Sequence, residues 1–410
     1  MPAMPSRAVE PSVPPADAVP LPGHDEIVAR AAALVPALRE RAQKAETLRR
    51  LPDETMAEVE AADLLRAMVP RRWGGHGLGL RTVCELTRVL AQGCPSTAWV
   101  VGFLVEHNWQ FARFGAAAQE EIFGAQPVIR APAQLAPVGR LEPVDGGFRL
   151  RGRWEFCSGV MHADWTILAA MAEPAAPDER PTPSVAIAPM ADVVVEDVWH
   201  TAGMRATGSN AIVADGAFVP SHRVVALRDF VSEDNPGAAL HDESVVRYPL
   251  VPSLTVFAAS VAIGAAERVA ELYREQLVQR VLYGTAGETP AHRPRSQARL
   301  ADVAVRLRTA QLLWRGALDR ICDVNDAGGR LSPLDQAEVR LHAARAVHAA
   351  RDMIGAACDG AGAHAYFEDS PFQRYQRDIE TLKGHVVFDV DRTEVLYGRL
   401  ALGLDPDDRF

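Results

Sequence analysis

Gly152-Arg153-Trp154-Glu155-Phe156-Cys157-Ser158-Gly159 reads as a strand running into a turn, with aromatics two residues apart, then a hydroxyl and a glycine. A ring to pack on, a hydroxyl to hydrogen-bond and close backbone approach at glycine are what a planar cofactor needs. His162 and Trp165 follow closely. Further on, Gly203-Met204-Arg205-Ala206-Thr207-Gly208-Ser209-Asn210 is denser in Gly, Thr and Ser than a hairpin requires, and reads as a backbone-lined ligand wall.

Both segments lie in a region of period-two patterning. Asp145-Gly146-Gly147 separates two expected strands, and Thr166–Met171, Ser184–Pro189, Val193–Val198 and Ala211–Val219 are short apolar or β-branched runs. Outside that region the period is helical. Ile27, Leu34 and Leu38 form one stripe, and Met56, Val59 and Leu65 form a second behind the expected N-cap Asp53. Long helices are expected over 250–283, 294–324 and 332–362, with a last pair around 371–402. The order predicts an α+β chain: a Pro-rich disordered lead over 1–23, a helical domain over 24–126, a β-barrel or sandwich domain over 127–235, and a helical bundle over 236–410.

Composition narrows the function. With 43 Lys plus Arg against 53 Asp plus Glu the net charge is −10, which argues against nucleic acid or an anionic membrane surface as partner. The stretch from Tyr248 to Ala266 carries no charge and approaches the length of a membrane span. Its Pro, Ser and Thr content and the Glu267-Arg268 that follows fit a buried helix of a bundle or subunit interface better. The N-terminus shows no apolar signal region, so a cytoplasmic location is expected. Cys84, Cys94, Cys157, Cys322 and Cys358 have no C-x-x-C spacing and form no metal pattern, so reduced packing thiols and no metal are expected.

No P-loop, H-E-x-x-H or G-x-S-x-G occurs, and Gly74-Gly75-His76-Gly77-Leu78-Gly79 falls between two helices with no strand before it. The chain shows no nicotinamide-binding fingerprint of its own.

The strand stretch resembles the acyl-CoA dehydrogenase pattern G-x-K-x-W/F-x-T/S-N-G, with Trp154 in place of the Lys, Phe156 in the aromatic place, Ser158 in the hydroxyl place and Gly159 replacing the Asn. Arg280-Val281-Leu282-Tyr283-Gly284 is similar to the family's R-x-x-F-G, and Gln297-Ala298-Arg299-Leu300-Ala301-Asp302 to its Q-x-x-L-A-D helix. The C-terminal stretch departs from the dehydrogenases. Gly384-His385-Val386-Val387-Phe388-Asp389, taken with the other segments, resembles the two-component flavin-dependent monooxygenases of the same fold, such as the 4-hydroxyphenylacetate and secosteroid phenol hydroxylases.

That resemblance implies a homotetramer that takes reduced FMN or FAD from a separate NAD(P)H:flavin reductase, adds O2 to form a flavin hydroperoxide, and hydroxylates a small aromatic substrate, most simply a phenol. It implies that Trp154, Phe156, Ser158, Arg205, Thr207, Gly208 and Ser209 line the flavin. It also implies that Arg280 and Gln297 reach the phosphates of a neighbouring subunit's flavin. Ser158 would hydrogen-bond the flavin, and His107 would lie near flavin and substrate. His385 and Asp389, four residues apart, would share a helix face and meet the substrate, His385 removing or strongly accepting the phenolic proton near neutral pH. Two alternatives use the same fold: oxygenation of an amine or other heteroatom, and acyl-CoA dehydrogenation, which needs a carboxylate base. Glu380 and Glu394 are the nearest acids, neither in the family pattern. A fourth reading is an interaction protein that has lost its cofactor.

Overall fold

The computed structural model describes residues 21–174 and 180–406. Most of the expected Pro-rich lead, residues 1–20, lies outside the described residues.

Among the described residues five α-helices come first: α1 (His24–Leu48), α2 (Asp53–Ala61), α3 (Leu80–Ala91), α4 (Pro95–Phe111) and α5 (Ala116–Ala125). Asp53 is the first helical residue of α2 and Pro52 occupies the cap, so the expected cap is displaced by one position. Proline with its fixed φ also opens α4, where a missing N–H costs nothing. All 17 residues of α4 are buried.

A seven-stranded mixed sheet follows, built from β1 (Ala133–Val144), β2 (Gly147–Cys157), β3 (Trp165–Ala172), β4 (Thr182–Pro189), β5 (Val194–Glu196), β6 (Asn210–Pro220) and β7 (Val224–Ala226). Its order is β5-β6-β2-β1-β3-β4-β7; β1 and β3 run parallel and the other pairs antiparallel. The β1–β2 hairpin turns at Asp145-Gly146, where Gly146 has φ +77°. Leu150, Trp154, Leu168 and Ile212 centre a core of the sheet's own.

A short α6 (Leu227–Val231) leads to the C-terminal helices α7 (Leu250–Gln279), α8 (Pro294–Asp326), α9 (Pro333–Ala361), α10 (Pro371–Leu382) and α11 (Val390–Ala401). By length and composition α7 could cross a bilayer, but 83% of its most apolar window is buried inside the molecule, as a core helix requires. Its hydroxyls are satisfied along the helix: Ser253 donates to the Pro249 carbonyl (2.7 Å) and Thr255 to that of Val251 (2.9 Å). A Cβ on Gly264 would lie 1.9 Å from the Arg88 carbonyl oxygen, so this glycine allows α3 and α7 their close approach. Ser332 and Asp335 form a reciprocal capping box at the start of α9.

Candidate active site

Trp99, Phe103 and His107 stand four apart on α4 and therefore share one face. Their rings form a continuous row: Trp99 to Phe103 at 4.7 Å between centroids, Phe103 to His107 at 5.2 Å, with Phe257 of α7 edge-on to Phe103 at 4.9 Å. His385, from the turn after α10, meets Trp99 edge-on at 5.5 Å. The Trp99 indole N–H donates to Ser158 Oγ at 2.9 Å. One indole thus joins the serine at the end of β2 to the histidine of the C-terminal region.

Ser158 is half-buried, and its hydroxyl is 2.7 Å from Ser209 Oγ, itself 2.7 Å from Thr207 Oγ1. Thr207 and Ser209 are buried, so their hydroxyls serve Ser158 and the loop rather than an open wall. Gly159 and Gly208 both take left-handed φ (75° and 51°) at the turns flanking this cluster. Arg205 is half-buried, and its Nε has no partner among the described residues.

The register of β2 against β6 slips between Trp154 and Cys157. That bulge puts Trp154 and Cys157 inward and turns Phe156 out, with φ 64° and 59% exposure, edge-on to Trp199. Trp154 is fully buried and donates its indole N–H to the Ala169 carbonyl at 2.7 Å. The expectation that Trp154 contacts a cofactor is therefore corrected: it is core, while Phe156 presents an open ring. Cys157 packs as expected, its thiol pushed up to about 12 by burial.

The shared helix face expected for His385 and Asp389 does not form. His385 caps a 3₁₀ turn, Val386–Phe388, and Asp389 is the exposed N-cap of α11, where it accepts from the Arg392 N–H at 3.1 Å. Nothing in that arrangement lets Asp389 orient the imidazole. His385 Nδ1 accepts from the Val387 N–H at 3.3 Å, which leaves the ring proton on Nε2. Burial pushes the imidazole down to about 4, away from the expected titration near neutrality. Neutral His385 is thus an N–H donor.

His107 is buried, and its Nδ1–H donates to the Ala131 carbonyl. Burial holds it down to about 4 and raises the adjacent Glu106 carboxyl to about 8; the two side chains approach to 3.5 Å. His162 is half-buried and is likewise pushed down to about 4, chiefly by burial.

Arg280 and Gln297 do not join this cluster within one chain. Arg280 donates to the Ala361 carbonyl at the end of α9, and Gln297 to the Ala291 carbonyl. Glu380 pairs with Lys383 at 3.2 Å, and Glu394 with Arg345, both at the surface. Trp73 stacks on Phe123 and donates to Gln119, a structural arrangement.

Two residues of the site escaped the sequence reading. Trp99 sits inside an apolar helix, where nothing in spacing distinguishes it from core. Asp378 had a usable signal: it is an acid on the apolar stripe Phe372, Tyr375, Ile379, Leu382 of α10. It is 3% exposed, raised to about 7 by burial, and accepts from the Met204 N–H at 2.6 Å.

The buried His107 and half-buried His385 imidazoles set a pH response. His107 and His385 are held near 4 against an ordinary 6.5, so the unfolded chain binds more protons in that window and stability falls as pH drops through it. Glu106 acts oppositely, losing stability as pH rises from 4.5 through about 8. In urea unfolding followed between pH 6.5 and 4, His107→Gln is expected to lower the proton uptake on unfolding by about one. An unchanged slope would mean His107 is already charged in the folded chain.

Residues 23–125 match the acyl-CoA dehydrogenase N-terminal domain and residues 256–390 the acyl-CoA dehydrogenase C-terminal domain. The chain is 32% identical to the flavin-dependent monooxygenase oxygenase subunit HsaA of Rhodococcus jostii (strain RHA1), over 91% of this chain and 97% of that one. It is 30% identical to the oxygenase component of the FADH2-dependent resorcinol hydroxylase of Rhizobium sp. (strain MTP-10005), over 94% and 96%. The crystal structure of 3-HSA hydroxylase from Rhodococcus sp. RHA1 superposes with a TM-score of 0.88 at 30% identity, covering 94% of this chain and 99% of that one. With fold, order of segments and near-complete coverage in agreement, the chain belongs to the flavin-dependent monooxygenase oxygenase subunits of the acyl-CoA dehydrogenase fold.

Proposed function

We propose that the chain is the oxygenase component of a two-component system. It takes reduced FAD or FMN from a separate reductase and, with O2, hydroxylates a small phenolic substrate. The observation that carries this reading is the Trp99 indole, which holds Ser158 through its N–H and His385 against its ring edge. A residue suited to a cofactor and one suited to a phenol oxygen thereby flank one rigid aromatic.

The exposed Phe156 ring, the half-buried Ser158 hydroxyl, the glycine turns and the unpartnered Arg205 Nε fit a flat, polar-edged flavin. Reduced flavin, when bound, supplies two electrons and the ring at which O2 is activated. His385 Nε2–H donates to the phenol oxygen, which orients the ring and favours binding of the ionised phenol, the more electron-rich ring for an electrophilic oxygen. The row Trp99, Phe103, Phe257 supplies an apolar wall that excludes water. One oxygen atom enters the product and the other leaves as water.

Arg280 and Gln297, remote from the site in one chain, support a homotetramer in which they serve a neighbouring copy. Val305 and Leu312, exposed apolar residues on α8, would be covered there.

Anaerobic titration with reduced FMN and reduced FAD, followed by mixing with oxygenated buffer and a phenol, tests the reading. Tight binding of one flavin and a hydroxylated product are expected. Hydrogen peroxide with every phenol but product from an amine would favour heteroatom oxygenation. Failure to bind either flavin would leave an interaction protein.

A further inference from the structure

The hydroxyl cluster has a direction. Thr207 Oγ1 lies 2.8 Å from the Met204 carbonyl, which can only accept, so the Thr207 proton goes there. At the 2.7 Å contact between Thr207 and Ser209, the proton must then come from Ser209. At the 2.7 Å contact between Ser209 and Ser158, it must in turn come from Ser158. Trp99 Nε1–H already donates to Ser158 Oγ. Ser158 therefore has no proton left for the site and offers only a lone pair.

The chain ends on Met204, whose conformation is unusual. Met204 takes the left-handed region (φ 54°), where an unbranched side chain without a local polar bond is disfavoured. It is held from both sides. Its N–H donates to the buried Asp378 carboxylate at 2.6 Å, and its carbonyl accepts from Trp199 Nε1 at 2.9 Å as well as from Thr207. Gly203 is pressed on α10 so closely that a Cβ would lie 2.0 Å from the Arg377 carbonyl oxygen, and Arg377 also donates to the Ala202 carbonyl.

We infer that Asp378 is a positioning residue: by holding Met204 it fixes the direction of the hydroxyl chain, so that Ser158 faces the site as an acceptor and selects reduced over oxidised flavin. Reduced isoalloxazine carries ring N–H groups, including one where the oxidised ring has only a bare acceptor nitrogen. An acceptor-only serine matches the first and leaves the second without a donor. The inference rests on the reading of Ser158 as a flavin contact.

The test measures affinities for both redox states of one flavin, anaerobically for the reduced form, in the wild type and three variants. The wild type is expected to prefer the reduced form. Thr207→Val removes the acceptor for the Ser209 proton. Ser209 can then turn to Ser158 and free the Ser158 proton for the site, and the preference is expected to fall about tenfold. Asp378→Leu should lower it similarly, and Asp378→Asn, whose carbonyl can still accept from Met204, should restore it. A wild-type ratio in Thr207→Val, which keeps the shape of the side chain, would overturn the inference whether or not the Leu variant folds. So would equal behaviour of the Asn and Leu variants, or no preference in the wild type. No binding of either form by the wild type would overturn the proposed function as well.

Discussion

Replacing His385 with Ala is expected to lower hydroxylated product about 100-fold while reduced flavin still binds, with the lost turnover appearing as hydrogen peroxide. The size follows from the loss of the one oriented donor that holds the ionised phenol oxygen. The fate of the oxygen follows from the space that water would enter. The role can be separated from that of a base. An imidazole held near 4 cannot remove a proton from a phenol of ordinary value near 10 without an uphill step of several kcal/mol. With Nδ1 capping the turn through Val387, moreover, the free ring nitrogen carries a proton. His385→Asn, which can present an N–H but no base of comparable strength, should recover part of the product. Recovery by a carboxylate at 385 but not by Asn would show that proton removal is the requirement. The acid limb of the wild-type profile should lie near 4 and not near 6.5.

The largest stability loss is expected at Arg113. Its guanidinium is fully buried and donates to four backbone carbonyls: Phe230 (2.7 Å), Ser232 (2.6 Å), Val246 (3.1 Å) and Tyr248 (3.0 Å). Those carbonyls belong to the segment that leads from the sheet to α7, and no regular ladder pairs them. Burial pushes the arginine down to about 9, yet it remains charged at neutral pH. Arg113→Met would fill the space and leave the Phe230 and Tyr248 carbonyls without a side-chain donor, those of Ser232 and Val246 keeping only Asn235 Nδ2, at a cost of about 3–5 kcal/mol. Chemical denaturation should show it. Arg113→Lys should recover only part, because an ammonium carries three donors on one atom and cannot span the four positions. A loss below about 1 kcal/mol in the Met variant would mean that water or backbone movement satisfies the carbonyls.

What could be read from the sequence depended on whether a residue's role follows from its own segment. The uncharged stretch from Tyr248 to Ala266 was recognisable as a core helix because small residues, hydroxyls and flanking charges are local properties. The strand runs were legible for the same reason, although Val193–Val198 forms only the short β5. Period-two reading failed at Trp154 and Phe156 because a bulge depends on β6, which lies far along the chain. Four-residue spacing failed at His385 and Asp389 because a 3₁₀ turn and a helix start intervene, and both depend on how α10 ends. His385 itself was found through resemblance, not periodicity. Trp99 and Asp378 owe their roles to partners 59 and 174 residues away in sequence, Ser158 and Met204, which only folding brings together.

The burial of α4 along its whole length has a consequence for how such an enzyme can change its substrate. A helix enclosed by sheet, bundle and neighbouring helices cannot shift to fit a different molecule, and each side chain on its Trp99–Phe103–His107 row is wedged against several others. The facing segment is built otherwise: Gly384, Val386 and Asp389 are exposed around the His385 turn, and insertions or exchanges there disturb little packing. One wall is a fixed template and the other an adaptable one. Selectivity in laboratory evolution should therefore drift through residues 384, 386 and 389 around an unchanged His385, while the α4 row stays as it is.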